Sequence, residues 1–277
     1  MRWWTAAGWT LFAVSSLGLL LTGHGSVPVA GEGAIGVSVL GSAVTAAAAL
    51  LLIRLVPPAL DGGFPRLDRT RLLRQTWLLA GLAGLTPLAF GLLVALDLDR
   101  SLGLLIKLLM FFLAPLAGLA LSGGIRLPRT RPAALWRWLG PVPAIVGYLW
   151  LFHGPFGRPE DGLAVSSLGT LVVTVFLVFL TASVGEEVFY RALLQTRLEA
   201  LLGRWPAILL SALLFALMHL PTRLPILGDL GYTLAAVLAV QGVFGLVAGY
   251  LWSRYRNLWA VIALHAGVNH LSLLWLV

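Results

Sequence analysis

Residues 163–202 read LAVSSLGTLVVTVFLVFLTASVGEEVFYRALLQTRLEALL. The stretch 163–184 contains no Asp, Glu, Lys, Arg or Pro. A run of about 20 apolar residues crosses the roughly 30 Å apolar core of a bilayer as a helix. Three charged residues follow within six positions: Glu186, Glu187 and Arg191. As one helix the whole stretch would be about 60 Å long. It must therefore project from the membrane, tilt strongly or break.

Composition extends this reading to the whole chain. The 277 residues are 59% hydrophobic and 11% charged, against about 25% charged in an ordinary soluble domain. Mean hydropathy is +0.94. There is too little polar side chain to solvate a globule of this length, and far too much apolar side chain for a disordered one. The net charge is +8. The basic residues stand between apolar runs rather than forming a face, so they act as topology signals and nucleic acid is not an expected partner. The chain has no cysteine, which excludes disulfides, thiolate zinc sites and a Cys nucleophile.

Apolar runs fall at 3–23, 34–53, 76–96, 101–122, 139–152, 163–184, 206–220, 231–252 and 258–277. The expected fold is an all-α polytopic transmembrane bundle of about nine spans, or eight if the short 139–152 run does not cross. The first run could be a signal peptide ending near Ala30-Gly31, but its length and its Trp3, Trp4 and Trp9 favour a retained span. With the N-terminus in the cytoplasm and strict alternation, 14 Arg fall inside and only Arg100, Arg158 and Arg223 outside. Most of the 11 Trp stand at run ends, among them Trp77, Trp136, Trp138, Trp205, Trp252, Trp259 and Trp275, and read as an interfacial belt. Gly242, Gly245 and Gly249 form a small-residue stripe for close helix packing. Segment 57–75 reads as a cytoplasmic loop.

Charge at membrane depth costs about 2.5–3.5 kcal/mol even on a lenient insertion scale. Most such groups lie in the last third of the chain: Glu186, Glu187, Arg191, His219, His265 and His270, beside Asn269. Glu187 and Arg191 are i,i+4 and can neutralise each other. Glu186 is rotated about 100° away and needs a partner from another helix or must carry a proton. His265 and Asn269 are also i,i+4. A turn near Gly203 places Glu186 and His219 at nearly equal distances along two antiparallel helices, about 25 Å from it. Lys107 is expected to snorkel or to pair with Asp97 or Asp99. Tyr190 is i+4 from Glu186 and could hydrogen-bond it. His270 reads as a packing residue, and His24 and His153 as outer-loop residues without a signal.

Glu186-Glu187-x-x-x-Arg191, Phe215-x-x-x-His219 and His265-x-x-x-Asn269 together resemble, in order, the three motifs of the CPBP family. That family comprises type II CAAX prenyl proteases and bacteriocin-processing or immunity proteins, also called Abi proteins. The resemblance covers about 183–271 and divides the chain into variable N-terminal spans, 1–160, and a catalytic bundle, 161–277. It implies a membrane-embedded glutamic endopeptidase, a hydrolase without a cofactor. By that similarity Glu186 activates water with help from His219, and His265 and Asn269 form the oxyanion site. Glu187, Arg191 and Phe215 are supporting residues.

Three rival readings remain open at this point. Glu186, Glu187, His219 and His265 offer ligands for zinc, although His-Glu-x-x-His spacing is absent. A non-catalytic immunity or scaffold protein could keep these residues as a polar network. A proton-coupled transporter also uses intramembrane carboxylates, but usually shows repeated halves. The expected partners are the lipid bilayer and a peptide or membrane-protein substrate; oligomeric state is not set by the sequence. Usage rich in Arg, Leu and Ala, with a single Lys, points to a GC-rich bacterial genome. It favours a bacterial inner membrane and disfavours a prenylated CAAX substrate. A water-filled cavity is expected among the last four spans, open to the cytoplasm.

Overall fold

The computed structural model describes residues 2–28, 36–56, 68–98, 101–125, 135–154 and 168–271. Several residues used above lie outside these: Ala30 and Gly31, Asp99, Trp275, the loop 57–67, and Arg66, Arg100, Arg126, Arg129, Arg131 and Arg158. The described chain is almost entirely helical. Its helices are α1 (Arg2–Leu21), α2 (Val39–Leu55), α3 (Arg69–Ala95), α4 (Leu102–Leu121), α5 (Leu135–Leu139), α6 (Val142–His153), α7 (Leu168–Leu202), α8 (Arg204–Met218), α9 (Leu220–Leu227), α10 (Leu230–Tyr255) and α11 (Leu258–His270). An antiparallel pair, β1 (Ser26–Pro28) and β2 (Gly36–Ser38), was not expected from the apolar pattern.

Among the described residues each of the nine apolar runs overlaps a helix, the second one beginning with β2. By length and composition α1, α3, α4, α7 and α10 can each cross a membrane, and α8 with α9 makes a sixth bent at 51°. Helices α2, α6 and α11 have 17, 12 and 13 described residues, fewer than the roughly 20 that cross a bilayer untilted. The chain is a multi-pass membrane protein, and five to six of the nine expected spans meet the length requirement among the described residues.

The long segment does not break. Helix α7 is continuous for 35 residues, so its excess length is taken up by projection or tilt. Its first half exposes Val172, Val173 and Phe176, a surface suited to lipid. Its second half is buried almost throughout, from Thr181 to Leu198. Helix α10 lies deepest, with an unbroken buried stretch from Val243 to Ser253. The glycine stripe explains how it fits there. A Cβ on Gly242 would meet the Phe12 ring at 2.5 Å, and one on Gly245 would meet the Ala212 backbone at 3.1 Å. Gly245→Leu should force α10 from α8 and lower stability by about 1–3 kcal/mol, read as a lower melting temperature in detergent; an unchanged melt would contradict this packing.

Arginines tie helix ends together at one face. Arg254 donates to the carbonyls of Arg54 and Val56 at the end of α2, and Arg137 donates to the carbonyl of Arg256 at the end of α10. These carbonyls lack partners within their own helices, and the cations complement the negative helix ends. Arg256 also pairs with Glu199. The aromatic belt is partly different from expectation. Trp3, Trp4, Trp77, Trp136, Trp138 and Trp259 are exposed, whereas Trp252 is buried and donates to the Thr196 hydroxyl. Trp205 stacks on Tyr250.

Candidate active site

The site is built where α7 departs from regular α geometry. Residues Phe179–Glu186 and Val188–Gln195 form two wide turns with i→i+5 hydrogen bonding, a variant often found at functional sites. Glu186 and Glu187 stand at the join between them. Both are buried, and they find different partners.

Glu187 lies inside a closed polar network. Its Oε2 accepts from Arg191 Nε at 3.0 Å, and both side chains are fully buried. Its Oε1 lies 2.8 Å from His265 Nδ1 on α11. A carboxylate only accepts here, so the His265 proton sits on Nδ1. Arg191 also donates from Nη1 to Ser211 Oγ, and that hydroxyl donates to the Tyr190 carbonyl. The Arg191 guanidinium stands 4.9 Å from the centre of the Phe215 ring, a cation–π contact. The same ring borders His219, His265, Tyr190 and Phe244. Phe215 is therefore the apolar hub on which the charged groups are arranged.

Glu186 is paired across the bundle. Lys107 Nζ on α4 lies 2.8 Å from Glu186 Oε1, with the lysine 24% exposed and the glutamate 1%. The second carboxylate oxygen, Oε2, is buried and has no hydrogen-bond partner among the described residues. His219 and His265 both stand within electrostatic reach of Glu186.

His219 occupies the bend between α8 and α9. Pro221 lacks an N–H and its ring crowds the preceding turn, which breaks the helix at this point. The ring of His219 turns back, and Nδ1 donates to the Phe215 carbonyl at 2.9 Å. This leaves Nε2 as the acceptor nitrogen. Asn269 Nδ2 lies 3.4 Å from Ser183 Oγ, one turn before Glu186. The structure thus brings Glu186, His219 and His265 together, ties Asn269 to the same helix turn, and places Glu187, Arg191 and Phe215 behind them.

Three expectations are corrected. Lys107 does not pair with Asp97; its partner is Glu186. A clue was present in the sequence, because Gly103, Leu104, Met110 and Phe111 leave Lys107 no carboxylate at helical spacing. Tyr190 makes no hydrogen bond to Glu186, and its buried hydroxyl has no partner among the described residues. His153 is not a bystander: its Nε2 lies 3.0 Å from the Gly267 carbonyl, within α11 between His265 and Asn269. Separately, a cavity of about 550 Å³ lies between α1 and α8, lined by Trp4, Leu11, Phe12, Leu209 and Leu213 and by none of the candidate residues. Among the described residues no three His, Cys, Asp or Glu side chains gather closely enough to hold a metal ion.

Comparison with known protein families gives a match in the C-terminal part of the chain. Residues 168–271 match the sequence model of the family described as type II CAAX prenyl endopeptidase Rce1-like. No curated protein and no solved structure matches the chain. The matched segment begins with α7 and ends just after α11, so it holds all three motifs and leaves out Lys107. The segment from α7 to α11 thus matches an Rce1-like, type II CAAX prenyl endopeptidase domain, consistent with the CPBP resemblance of its motifs.

Proposed function

We propose that this protein is a glutamic endopeptidase that cleaves membrane-associated peptides within the bilayer. The observation that carries the reading is Glu186: a buried carboxylate with one unpartnered oxygen, beside His219 and His265, in a protease-family domain. Water bound at Glu186 Oε2 gives its proton to the carboxylate as its oxygen attacks the scissile carbonyl carbon. The carbonyl π pair moves onto oxygen, giving a tetrahedral oxyanion. Glu186 then returns the proton to the leaving amine as the C–N bond breaks. This is general acid–base catalysis by one group.

His219 assists through Nε2, the nitrogen left as acceptor by the Phe215 bond, which can bind a hydrogen of the attacking water. His265 and Asn269 serve the oxyanion. His265 has a proton on Nδ1 held by Glu187; in its doubly protonated form it also presents an Nε2–H donor. The Asn269 amide supplies a second donor. Each well-placed donor of this kind contributes roughly 2.7–4 kcal/mol to the transition state. The reaction so drawn needs no metal. The substrate class is peptides or membrane proteins of a bacterial plasma membrane, without a prenyl group.

The test is cleavage of membrane peptides by purified protein in nanodiscs, followed by mass spectrometry. His219→Ala should lower turnover by about 10²–10⁴-fold, while chelator-treated, metal-free protein should retain full activity. Undiminished turnover in His219→Ala would remove the proposed role of that residue. Loss of activity on chelation, restored by zinc, would replace the glutamic mechanism with a metal-dependent one.

A further inference from the structure

Among the described residues the matched domain hydrogen-bonds neither oxygen of Glu186, and the cation that takes Oε1 comes from outside the domain. Lys107 is the only lysine in the chain. It lies 61 residues before the matched segment begins.

Its approach is built into the packing. Just beyond Lys107, α4 widens into a turn with i→i+5 bonding at Leu109–Leu113. That turn places Phe111 against Phe189 and Tyr190, with ring centres 5.4 and 5.9 Å apart. Phe112 packs directly on Gly185, where a Cβ would come within 2.7 Å of its ring. Only glycine allows so close an approach at that position. The helix carrying Lys107 is thus docked against the residue preceding Glu186, and the ammonium lands 2.8 Å from Oε1.

We propose that Lys107 is a positioning residue for the hydrolytic water. This rests on the reading of Glu186 as the group that activates it. By holding Oε1, Lys107 fixes the carboxylate plane and leaves Oε2 as the single oxygen open to water. An unclamped carboxylate could turn about its terminal torsion, which has broad rotamer wells, and present either oxygen. The ammonium also supplies the countercharge that a 1%-exposed carboxylate requires. The N-terminal half of the chain therefore completes the site rather than merely enclosing it.

Purified protein in nanodiscs tests this through Lys107→Met, Lys107→Arg and Glu186→Gln. Wild-type cleavage that is lost in Glu186→Gln secures the underlying reading first. Lys107→Met should then lose about 100-fold in kcat with KM within about threefold, and Lys107→Arg should regain at least tenfold of that loss. A Lys107→Met enzyme with wild-type kcat, or one altered only in KM, overturns the proposal while leaving Glu186 in place. A second measurement does not depend on Lys107→Met folding. Because Lys107 is the one lysine, its acylation by an amine-reactive ester can be followed by mass spectrometry. Release from the ion pair should speed labelling at least tenfold in Glu186→Gln relative to wild type; equal rates overturn the pairing on which the proposal stands.

Discussion

Glu186→Gln should abolish cleavage while leaving the fold intact. The substitution keeps the volume of the side chain and an oxygen that can still accept from Lys107 Nζ, now 2.8 Å from Oε1. It removes the group that takes a proton from water. Loss of a positioned general base lowers turnover by about 10²–10⁴-fold. Folding should hardly notice, because the one charge left unpaired belongs to Lys107, which is 24% exposed and reaches solvent along its stem. The two results must appear together: kcat falls by that factor, and the melting temperature in detergent moves by a few degrees at most. A Glu186→Gln protein that still cleaves at the wild-type rate removes the endopeptidase mechanism proposed for this site. Peptidomes of membranes carrying the two forms would extend the comparison to natural substrates, whose cleavage products should vanish with the carboxylate.

The features legible in the sequence are those governed by local rules. A helix is apolar over its lipid-exposed length whatever it packs against, so each of the nine runs overlaps a helix among the described residues. The Glu187–Arg191 pair is an i,i+4 contact within one helix, and the glycine stripe of α10 needs only helical periodicity to be noticed. Relations between helices were much less legible. Hairpin geometry about Gly203 brings Glu186 and His219 together by equal distances, but no such symmetry governs α4 against α7 or α11 against α7. The contacts of Lys107 with Glu186 and of His265 with Glu187 span 79 and 78 residues. They depend on local widening of α7 and α4 and on the close approach at Gly185, which propensity alone does not encode. Sequence proximity therefore points Lys107 to nearby acidic residues and His153 to an outer loop, away from their partners in the fold.

Arg191→Met should unfold or strongly destabilise the protein, in contrast to Glu186→Gln five residues earlier. The guanidinium is fully buried and serves three neighbours at once: Glu187 at 3.0 Å, Ser211 at 3.2 Å and the face of Phe215. Methionine fills much of the volume but strands the Glu187 carboxylate, with only His265 Nδ1 left to hold it. Removing one partner of a buried ion pair costs about 3–5 kcal/mol, because the charge left behind cannot reach water. Lysine should not rescue this, since it lacks the planar fork that reaches Glu187 and Ser211 together. Glu187→Gln with Arg191→Met removes both charges and should recover most of the lost stability. That double variant keeps an oxygen for His265 Nδ1 to bond but loses the anion that supports an imidazolium, so its cleavage should stay low after its melting temperature has returned. Thermal melts in detergent with parallel cleavage assays decide the matter. A wild-type melt for Arg191→Met would show that the pair bears no folding load. Full cleavage by the refolded double variant would show that Glu187 does not act through His265.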